Sequence, residues 1–514
     1  MKNYLFYLIC HLFIFNQSSA QNKFQKTFGG TGFDAGVDVK VTNDGGYAIT
    51  GFFENSGANG ADVFLIKTDQ NGDTLWTRTY GGPGDDGGRS VQQTNDGGYI
   101  ICGFAASFGD HIYLIKTDPN GDTLWTKLYS SQGAQEGDLV IQTSDGGYLI
   151  SGRTDAGFNN SIIIKTDSSG DTLWTRSYEG ITFIIRTYSI LETNDGGYIL
   201  AGYAEGSATN INDMFLVKTN QQGDTLWTKT YGGTFDEQGR CVRQTTDGGY
   251  IVAGSTYGNG FGLEDIYAVR TDNTGNVIWS KRYGGPADDY GYYVALADDG
   301  GFYIAGQTES FTANNQDGYL IQVDSSGNLL WSKSYGGSDM DAFRSMQKTN
   351  DDGLIMTGFT LNSNTTLAAY LVKTNANGVS QCNELSQTSS SDTFTTIVGN
   401  AYNLVPYGVS VSSTSTIVGS GCPISTICSN VGVDEIANQN SLIIYPNPFT
   451  SDFTIKGTSK IGVIKIFDLT GKEILHQKMY IGETTVETES LVPGYYFVSC
   501  IEGNKIINNK LLKF

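Results

Sequence analysis

The turn Asp-Gly-Gly-Tyr recurs at Asp44–Tyr47, Asp96–Tyr99, Asp145–Tyr148, Asp195–Tyr198 and Asp247–Tyr250. It changes to Asp299–Phe302 and decays to Asp351–Leu354. Copies about fifty residues apart mean one supersecondary unit repeated in series. Such a repeat also separates scaffold from site: residues shared by every copy build the frame, and a binding site belongs where the copies differ.

Within the second copy, Thr74–Tyr80, Arg89–Thr94, Tyr99–Phe104 and His111–Thr117 read as strands rich in β-branched and aromatic residues. Asn95–Gly98 and Asp118–Asp122 read as tight hairpin turns. No run has helical apolar spacing, and glycines interrupt every ten residues or so. Four antiparallel strands per repeat indicate a propeller blade. All six tryptophans mark one position: Trp76, Trp125, Trp174, Trp227, Trp279 and Trp331. Phe24 extends the series backward and Cys382 forward, giving seven intervals of 49 to 53 residues and so seven blades. FQKTFGG at Phe24–Gly30 keeps the pattern of WTRTYGG at Trp76–Gly82, whereas Val379–Leu385 has lost it. The N-terminal strand, near Asn22–Phe28, is therefore expected to complete the last blade. The recurring Trp reads as packing between blades.

The repeats resemble the seven-bladed β-propeller repeat family. GG-x-x-DD-x-G at Gly81–Gly87 and Gly284–Gly291, DGGYxIxG at Asp247–Gly254 and D-x-x-x-x-K-T-D at Asp62–Asp69 carry the likeness, which covers residues 24–378. The expected fold is all-β: residues 21–380 as a seven-bladed propeller of four-stranded blades, followed by a small antiparallel β-sandwich.

The ends suggest export. Lys2, the apolar stretch Tyr4–Phe15 and Ser18-Ser19-Ala20 read as a signal peptide over residues 1–20, too short to span a bilayer. No later segment is expected to cross a membrane. The net charge is −21, of which the segment from Ser441 onward contributes about +1, so the body is strongly acidic. That argues against a nucleic-acid partner, whose phosphates need Lys and Arg. Cys102 and Cys241 read as buried strand thiols, and export permits a disulfide within Cys382, Cys422 and Cys428.

Residues 381–440 are rich in Ser and Thr and read as a connector and linker. The segment 441–514 opens a new strand pattern and resembles the type IX secretion C-terminal sorting domain of Bacteroidota. The carrying residues are Tyr445-Pro446-Asn447-Pro448, Phe467-Asp468-Leu469 with Gly471-Lys472-Glu473, Leu491 with Gly494, Tyr496 and Phe497, and Lys510-Leu511-Leu512-Lys513. This resemblance implies recognition by the type IX machinery and a secreted or outer-membrane surface location.

Function is expected on the long-loop face. The GGxxDD loops and the loops before each repeat's fourth strand should make it acidic, and Asp85, Asp86, Asp288 and Asp289 are candidate Ca²⁺ ligands, oxygen donors for a hard cation. The competing reading is that these aspartates cap their own loops. No other cofactor is expected. Loops Phe53–Ala61, Tyr203–Asn212, Ser255–Glu264 and Gln307–Gln316 are the longest of their set. Their Tyr257, Phe261, Glu264 and Phe311 are candidate contacts for a carbohydrate or protein ligand. His111 is read at the position of Val63 and Ile266, a packing site, and His476 lies in the C-terminal segment. Without GxSxG or HExxH, a hydrolytic centre is not expected. The favoured reading is a non-catalytic binding or adhesion module. The alternatives are a glycan-active hydrolase or lyase and a purely structural surface protein.

Overall fold

The computed structural model describes residues 22–513, except 31, 55–59, 131–134, 155–159, 179–184, 206–210, 259–260, 312–314, 362–365, 381–383, 394–396, 400–403, 406–409, 414–416, 420–423, 431–442, 446–450, 459–461, 468–471, 489–490, 493 and 503–504. The expected signal peptide lies outside these residues. So do Cys382 and Cys422, and the side chain of Cys428. Cys102 and Cys241 are buried free thiols, and Cys500 is buried in the core of the second unit.

Seven twisted antiparallel sheets form the blades. Blade 1 runs outward through Asp34–Val41, Tyr47–Glu54, Ala61–Thr68 and Thr74–Gly81. The inner strands of blades 2 to 7 are Asp86–Gln93, Gln135–Gln142, Ile185–Glu192, Glu237–Gln244, Asp289–Leu296 and Asp341–Lys348. Each inner strand packs on the next, and that of blade 7 packs on that of blade 1, so the ring closes into a seven-bladed β-propeller. The Trp-bearing strand is the fourth strand of the sheet that precedes it in the chain. A repeat read from Trp to Trp therefore straddles two blades.

Blade 7 takes its fourth strand from the other end of the chain. Lys23–Phe28 pairs with Leu367–Thr374, from Phe24 opposite Lys373 to Phe28 opposite Ala369. Phe24 stands in the Trp position. A Cβ on Gly72 of blade 1 would meet the Phe24 ring at 2.6 Å, as one on Gly121 would meet Trp76 at 2.7 Å. Each marker ring thus packs on the turn glycine of the following blade. In five of the seven it also packs on that blade's turn tyrosine, Trp76 lying 5.8 Å from Tyr99 and Phe24 6.1 Å from Tyr47, and Trp279 meets Phe302 in the same way at 6.0 Å. The tryptophans are half-buried seals between blades.

The shared motifs lock one another. In the turn Asp44-Gly45-Gly46, Gly45 has φ +81, which favours glycine, and a Cβ on Gly46 would meet the Thr68 carbonyl at 2.1 Å. The buried Lys67 ammonium ion-pairs with Asp44 at 2.9 Å and donates to the Thr68 carbonyl at 2.7 Å. Lys116, Lys165, Lys218 and Lys373 repeat the pair with Asp96, Asp145, Asp195 and Asp351, and Arg270 does so with Asp247. This explains why KT and DGG travel together: a buried cation requires its partner. Between blades, the Tyr80, Tyr129, Tyr231 and Tyr283 hydroxyls donate to the carbonyls of Gly121, Gly170, Gly275 and Gly327 at 2.7–2.8 Å. Each such bond contributes about 1 kcal/mol.

Each four-stranded blade is extended. Beyond each outer strand lies a fifth, and all seven come from residues 384–430, expected as a connector. Glu384–Gln387 pairs with blade 6, Ser390–Thr393 with blade 5 and Ile397–Gly399 with blade 4. Leu404–Val405 pairs with blade 3, Ser410–Ser413 with blade 2 and Ile417–Gly419 with blade 1. Ile424–Asn430 then pairs with Lys23–Phe28 on blade 7. The chain circles the ring against its own order as a belt, satisfying the backbone edge that every outer strand would otherwise expose. Arg282 of blade 5 is clamped to the belt by Asp392, its Nε donating at 3.0 Å. The chain divides into two compact units at residues 432 and 433, and the belt belongs to the first.

The second unit is a small antiparallel β-sandwich. One sheet comprises Ile443–Tyr445, Asp452–Thr458 and Gly482–Glu487, and the other Glu473–Met479, Gly462–Phe467, Gly494–Glu502 and Lys505–Lys513. Phe453, Ile455, Ile464, Ile466, Val486 and Val498 fill its core.

Candidate functional site: the central channel

Every inner strand carries a β-bulge at the same place. The pairing register skips one residue between Gly36 and Asp38, Gly88 and Ser90, Gly137 and Leu139, and Thr187 and Ser189. It does so again between Gly239 and Cys241, Gly291 and Tyr293, and Phe343 and Ser345. A bulge leaves its extra residue unpaired and re-aims it. The glycine before it allows close approach of the preceding blade: a Cβ on Gly88 would meet Thr50 Oγ1 at 2.3 Å.

The seven bulged residues are Val37, Arg89, Asp138, Tyr188, Arg240, Tyr292 and Arg344, and all line one cavity of about 960 Å³ at the hub. The frame repeats and these side chains do not. The cavity lining contains six basic residues (Lys40, Arg89, Arg240, Arg243, Arg344 and Lys348) against two acidic ones, Asp38 and Asp138. In a chain of net charge −21 the hub is a basic enclave.

The two sides of the channel differ. On blades 1 to 3 the charges neutralise one another. Asp38 holds Lys40 in an ion pair. Glu136 holds both Arg89, at 2.5 Å, and Arg153. Burial raises the Asp138 carboxyl above its ordinary range, against the pull of Arg89 and Arg153. On blades 4 to 7, tyrosine and arginine alternate. The Arg240 guanidinium lies 4.2 Å from the Tyr188 ring and 5.7 Å from the Tyr292 ring, and Arg344 lies 4.3 Å from Tyr292. Tyr188 packs on Tyr203 at 5.9 Å, and Tyr292 stacks on Tyr290 at 6.2 Å. Among the described residues, Arg240, Arg243 and Arg344 have no carboxylate in ion-pair contact. Stacking engages the faces of these guanidiniums and not their N–H edges.

The residues expected to form a site lie elsewhere. Asp86 and Asp289 are buried caps rather than surface ligands. Asp86 Oδ2 accepts from the Gly82 N–H at 2.8 Å and from Ser107 Oγ at 2.6 Å; Asp289 Oδ2 accepts from the Gly285 N–H and Ser310 Oγ, both at 2.7 Å. Asp34, Glu237 and Asp341 are buried in the same way. The long-loop face is thus less acidic than expected, because one carboxylate in each of five loops points inward to satisfy backbone donors, Gln135 and Ile185 standing at that position in the other two. Asp85 and Asp288 accept the Ala61 and Glu264 N–H groups of the preceding blade, each at 3.0 Å. Among the described residues no group of three or more His, Cys, Asp or Glu side chains is placed to hold a metal.

Tyr257 is exposed, while Phe311 packs on Tyr319 at 5.7 Å as part of the core. Glu264 accepts from Ser255 Oγ at 2.6 Å, and the Phe261 N–H donates to Asp265 at 2.9 Å. None of the four lines the channel, and the loops they belong to fall partly outside the described residues. His111 does not sit at the Val63 position. It pairs with Ala105 as Asp62 pairs with Phe53, so it replaces Asp62, and Ile112 takes the place of Val63.

That position has its own pattern. Asp62, Asp213, Asp265 and Asp317 each face a carboxylate of the next blade across a glycine. A Cβ on Gly284, for example, would meet Asp265 Oδ1 at 2.4 Å and Asp289 Oδ2 at 2.7 Å. Burial raises these aspartates to about 6. Their partners Glu237 and Asp341 rise to about 7, again chiefly by burial.

The sequence motifs of the second unit fall partly within the described residues. Lys513 is buried and donates to the Thr488 carbonyl at 2.5 Å; Gly494 opens a strand, Lys510 lies in the last strand, and Lys472 is exposed. Pro446, Asn447, Pro448 and Gly471 lie outside them. Residues 443–513 match the secretion system C-terminal sorting domain family. The chain carries a type IX secretion sorting domain. It is therefore a protein directed to that machinery for secretion or surface attachment. No curated protein matches the chain significantly.

Solved structures similar to it include PorZ of Porphyromonas gingivalis, described as an essential bacterial surface component of the type IX secretion system. The identity is 11%, with 95% of this chain and 60% of PorZ covered and a TM-score of 0.39. The chain thus spans about three fifths of the length of PorZ. Sqt1 from Chaetomium thermophilum has 9% identity, 70% and 100% coverage and a TM-score of 0.43. A Dyadobacter fermentans protein of unknown function has 9% identity, 68% and 97% coverage and a TM-score of 0.40.

Proposed function

We propose that this type IX-delivered propeller is a non-catalytic binding protein and that its ligand enters the central channel. One observation carries the reading: the scaffold repeats around the ring, whereas the seven bulged channel residues run Val, Arg, Asp, Tyr, Arg, Tyr, Arg. A position that needed only to pack would converge on one residue type, as the Trp and DGG positions do. Rigid strands holding divergent side chains around a concave cavity suit recognition.

Glycan and protein arrays probed with residues 21–432 test it, alongside Val37→Trp, which fills the channel from blade 1. Binding that Val37→Trp abolishes supports the channel. Binding that the filled channel leaves intact moves the site to the outer surface.

A further inference from the structure

The identity of the guest can be narrowed from the asymmetry of the channel, accepting that the channel is the binding site. Blades 1 to 3 set three carboxylates, Asp38, Glu136 and Asp138, against the three cations Lys40, Arg89 and Arg153. Blades 5 and 7 present Arg240, Arg243 and Arg344 with no carboxylate in ion-pair contact among the described residues. Arg240 Nη2 donates to the neutral Gln238 Oε1 at 2.6 Å, and its buried Nε has no partner. Arg243 Nη1 donates to the Val242 carbonyl at 2.7 Å, its guanidinium lies 4.5 Å from the Tyr293 ring, and the Tyr293 hydroxyl and the Asp38 carboxylate act on it.

Desolvating three guanidiniums within one cavity is costly unless an anion completes them. Acidic residues stand nearby, Glu264 acting on Arg240 and Asp38 on Arg243, yet among the described residues neither closes an ion pair with these guanidiniums. Stacking on Tyr188 and Tyr292 fixes the planes of Arg240 and Arg344, which lowers the entropy lost when each fork engages a planar oxyanion.

We propose that the Arg240–Tyr292–Arg344 ladder receives the carboxylate of an acidic ligand, either a free organic acid or an acidic sugar residue of a glycan. The carboxylate meets the guanidinium edges, while the neutralised wall of blades 1 to 3 accepts the uncharged remainder. Val37 and Leu139 offer apolar surface there.

Titration calorimetry of the 21–432 propeller tests this, with citrate, glucuronate, oligogalacturonate and an uncharged oligogalactose as probes. The acids should bind and the neutral sugar should not, with affinity falling steeply as NaCl is raised. Citrate and glucuronate binding alone assigns a free acid, and tighter oligogalacturonate binding assigns a glycan. Arg240→Ala/Arg344→Ala should weaken binding at least tenfold. Arg240→Lys/Arg344→Lys, which keeps charge and loses the fork, should weaken it several-fold. Lys229→Ala, outside the channel, should leave it unchanged. The Lys pair guards against misfolding, because an unaltered melt with weakened binding isolates the fork. Failure of every acid to bind wild-type protein overturns the proposal, as does equal binding by the Arg240→Ala/Arg344→Ala variant. If Val37→Trp abolishes array binding while the double Ala variant retains it, the channel stands as the site and the anion does not.

Discussion

Asp38 accepts a 2.6 Å hydrogen bond from Ser345 Oγ, a residue 307 positions later in the chain. Its other oxygen accepts the Val91 N–H at 3.0 Å, so one carboxylate joins blade 7, blade 1 and blade 2 where the ring closes. Asp38→Ala removes two cross-blade bonds and leaves Lys40 without its partner. Equilibrium urea unfolding should show a loss of about 2–4 kcal/mol. Ser345→Ala should cost nearer 1 kcal/mol.

The closing strand of blade 7 makes a second prediction. Phe24 fills the tryptophan position there, and Gln25 is bonded on both sides, accepting from the Tyr370 hydroxyl at 2.5 Å and donating to Ser380 Oγ at 2.9 Å. Phe24→Ala should destabilise by about 3–5 kcal/mol. Deleting residues 22–28 should lower the melting temperature by many degrees and remove the strand on which Ile424–Asn430 is built. An unchanged melt would show that another segment closes the ring.

Acidity should stabilise the propeller over a defined window. The carboxyls at the blade 1–2, 4–5, 5–6 and 6–7 junctions are raised above their unfolded values, with Asp62, Asp213, Asp265, Asp289 and Asp317 at about 6 and Glu237 and Asp341 at about 7. A raised group binds its proton more tightly when folded, so its stabilisation is complete below the unfolded pKa and is lost as pH rises through the folded one. The melting temperature should therefore fall from about pH 4.5 to 7.5. Asp265→Asn and Asp317→Asn should each flatten that slope. The turn aspartates act oppositely. Hydrogen bonds from Thr245 and Gly249, with Arg270, hold Asp247 down to about 2, so stability should fall again in strong acid. A melt independent of pH between 5 and 7.5 would refute the paired-carboxylate account.

The decayed last turn offers a stabilising change. Asp352 occupies the place of the first turn glycine at φ +63, where its side chain is strained, and it makes only an exposed 3.3 Å pair with Lys348. Asp352→Gly should raise stability by about 0.5–1 kcal/mol in urea melts.

The frame was legible because its constraints are local and sevenfold. Six tryptophans count the blades, and Phe24 declares itself by the TFGG that follows it. The belt was not legible. Its strands are two to seven residues long, too short for a period, and their stability comes from edges far away in sequence. The channel is hidden in the sequence for the opposite reason. Arg89, Asp138 and Tyr188 look like noise at one repeat position, yet the glycine that precedes the bulge in five copies marked the place. Neglecting that bulge also leaves the inner strands out of phase with their pleat. His111 stands one residue away from the expected register because its loop lacks the Ala-Asp of blade 1.

The belt has a mechanical consequence. A load applied beyond Asn430 meets the short outer strands in turn, blade 7 first and blade 6 last, each opening from one end like a zip. Force would be dissipated in seven small steps, releasing a tether of roughly 150 Å from residues 384–430. Throughout that travel the four inner strands of each blade keep their pairing, so a chain pulled at this end would lengthen before the ring itself opened.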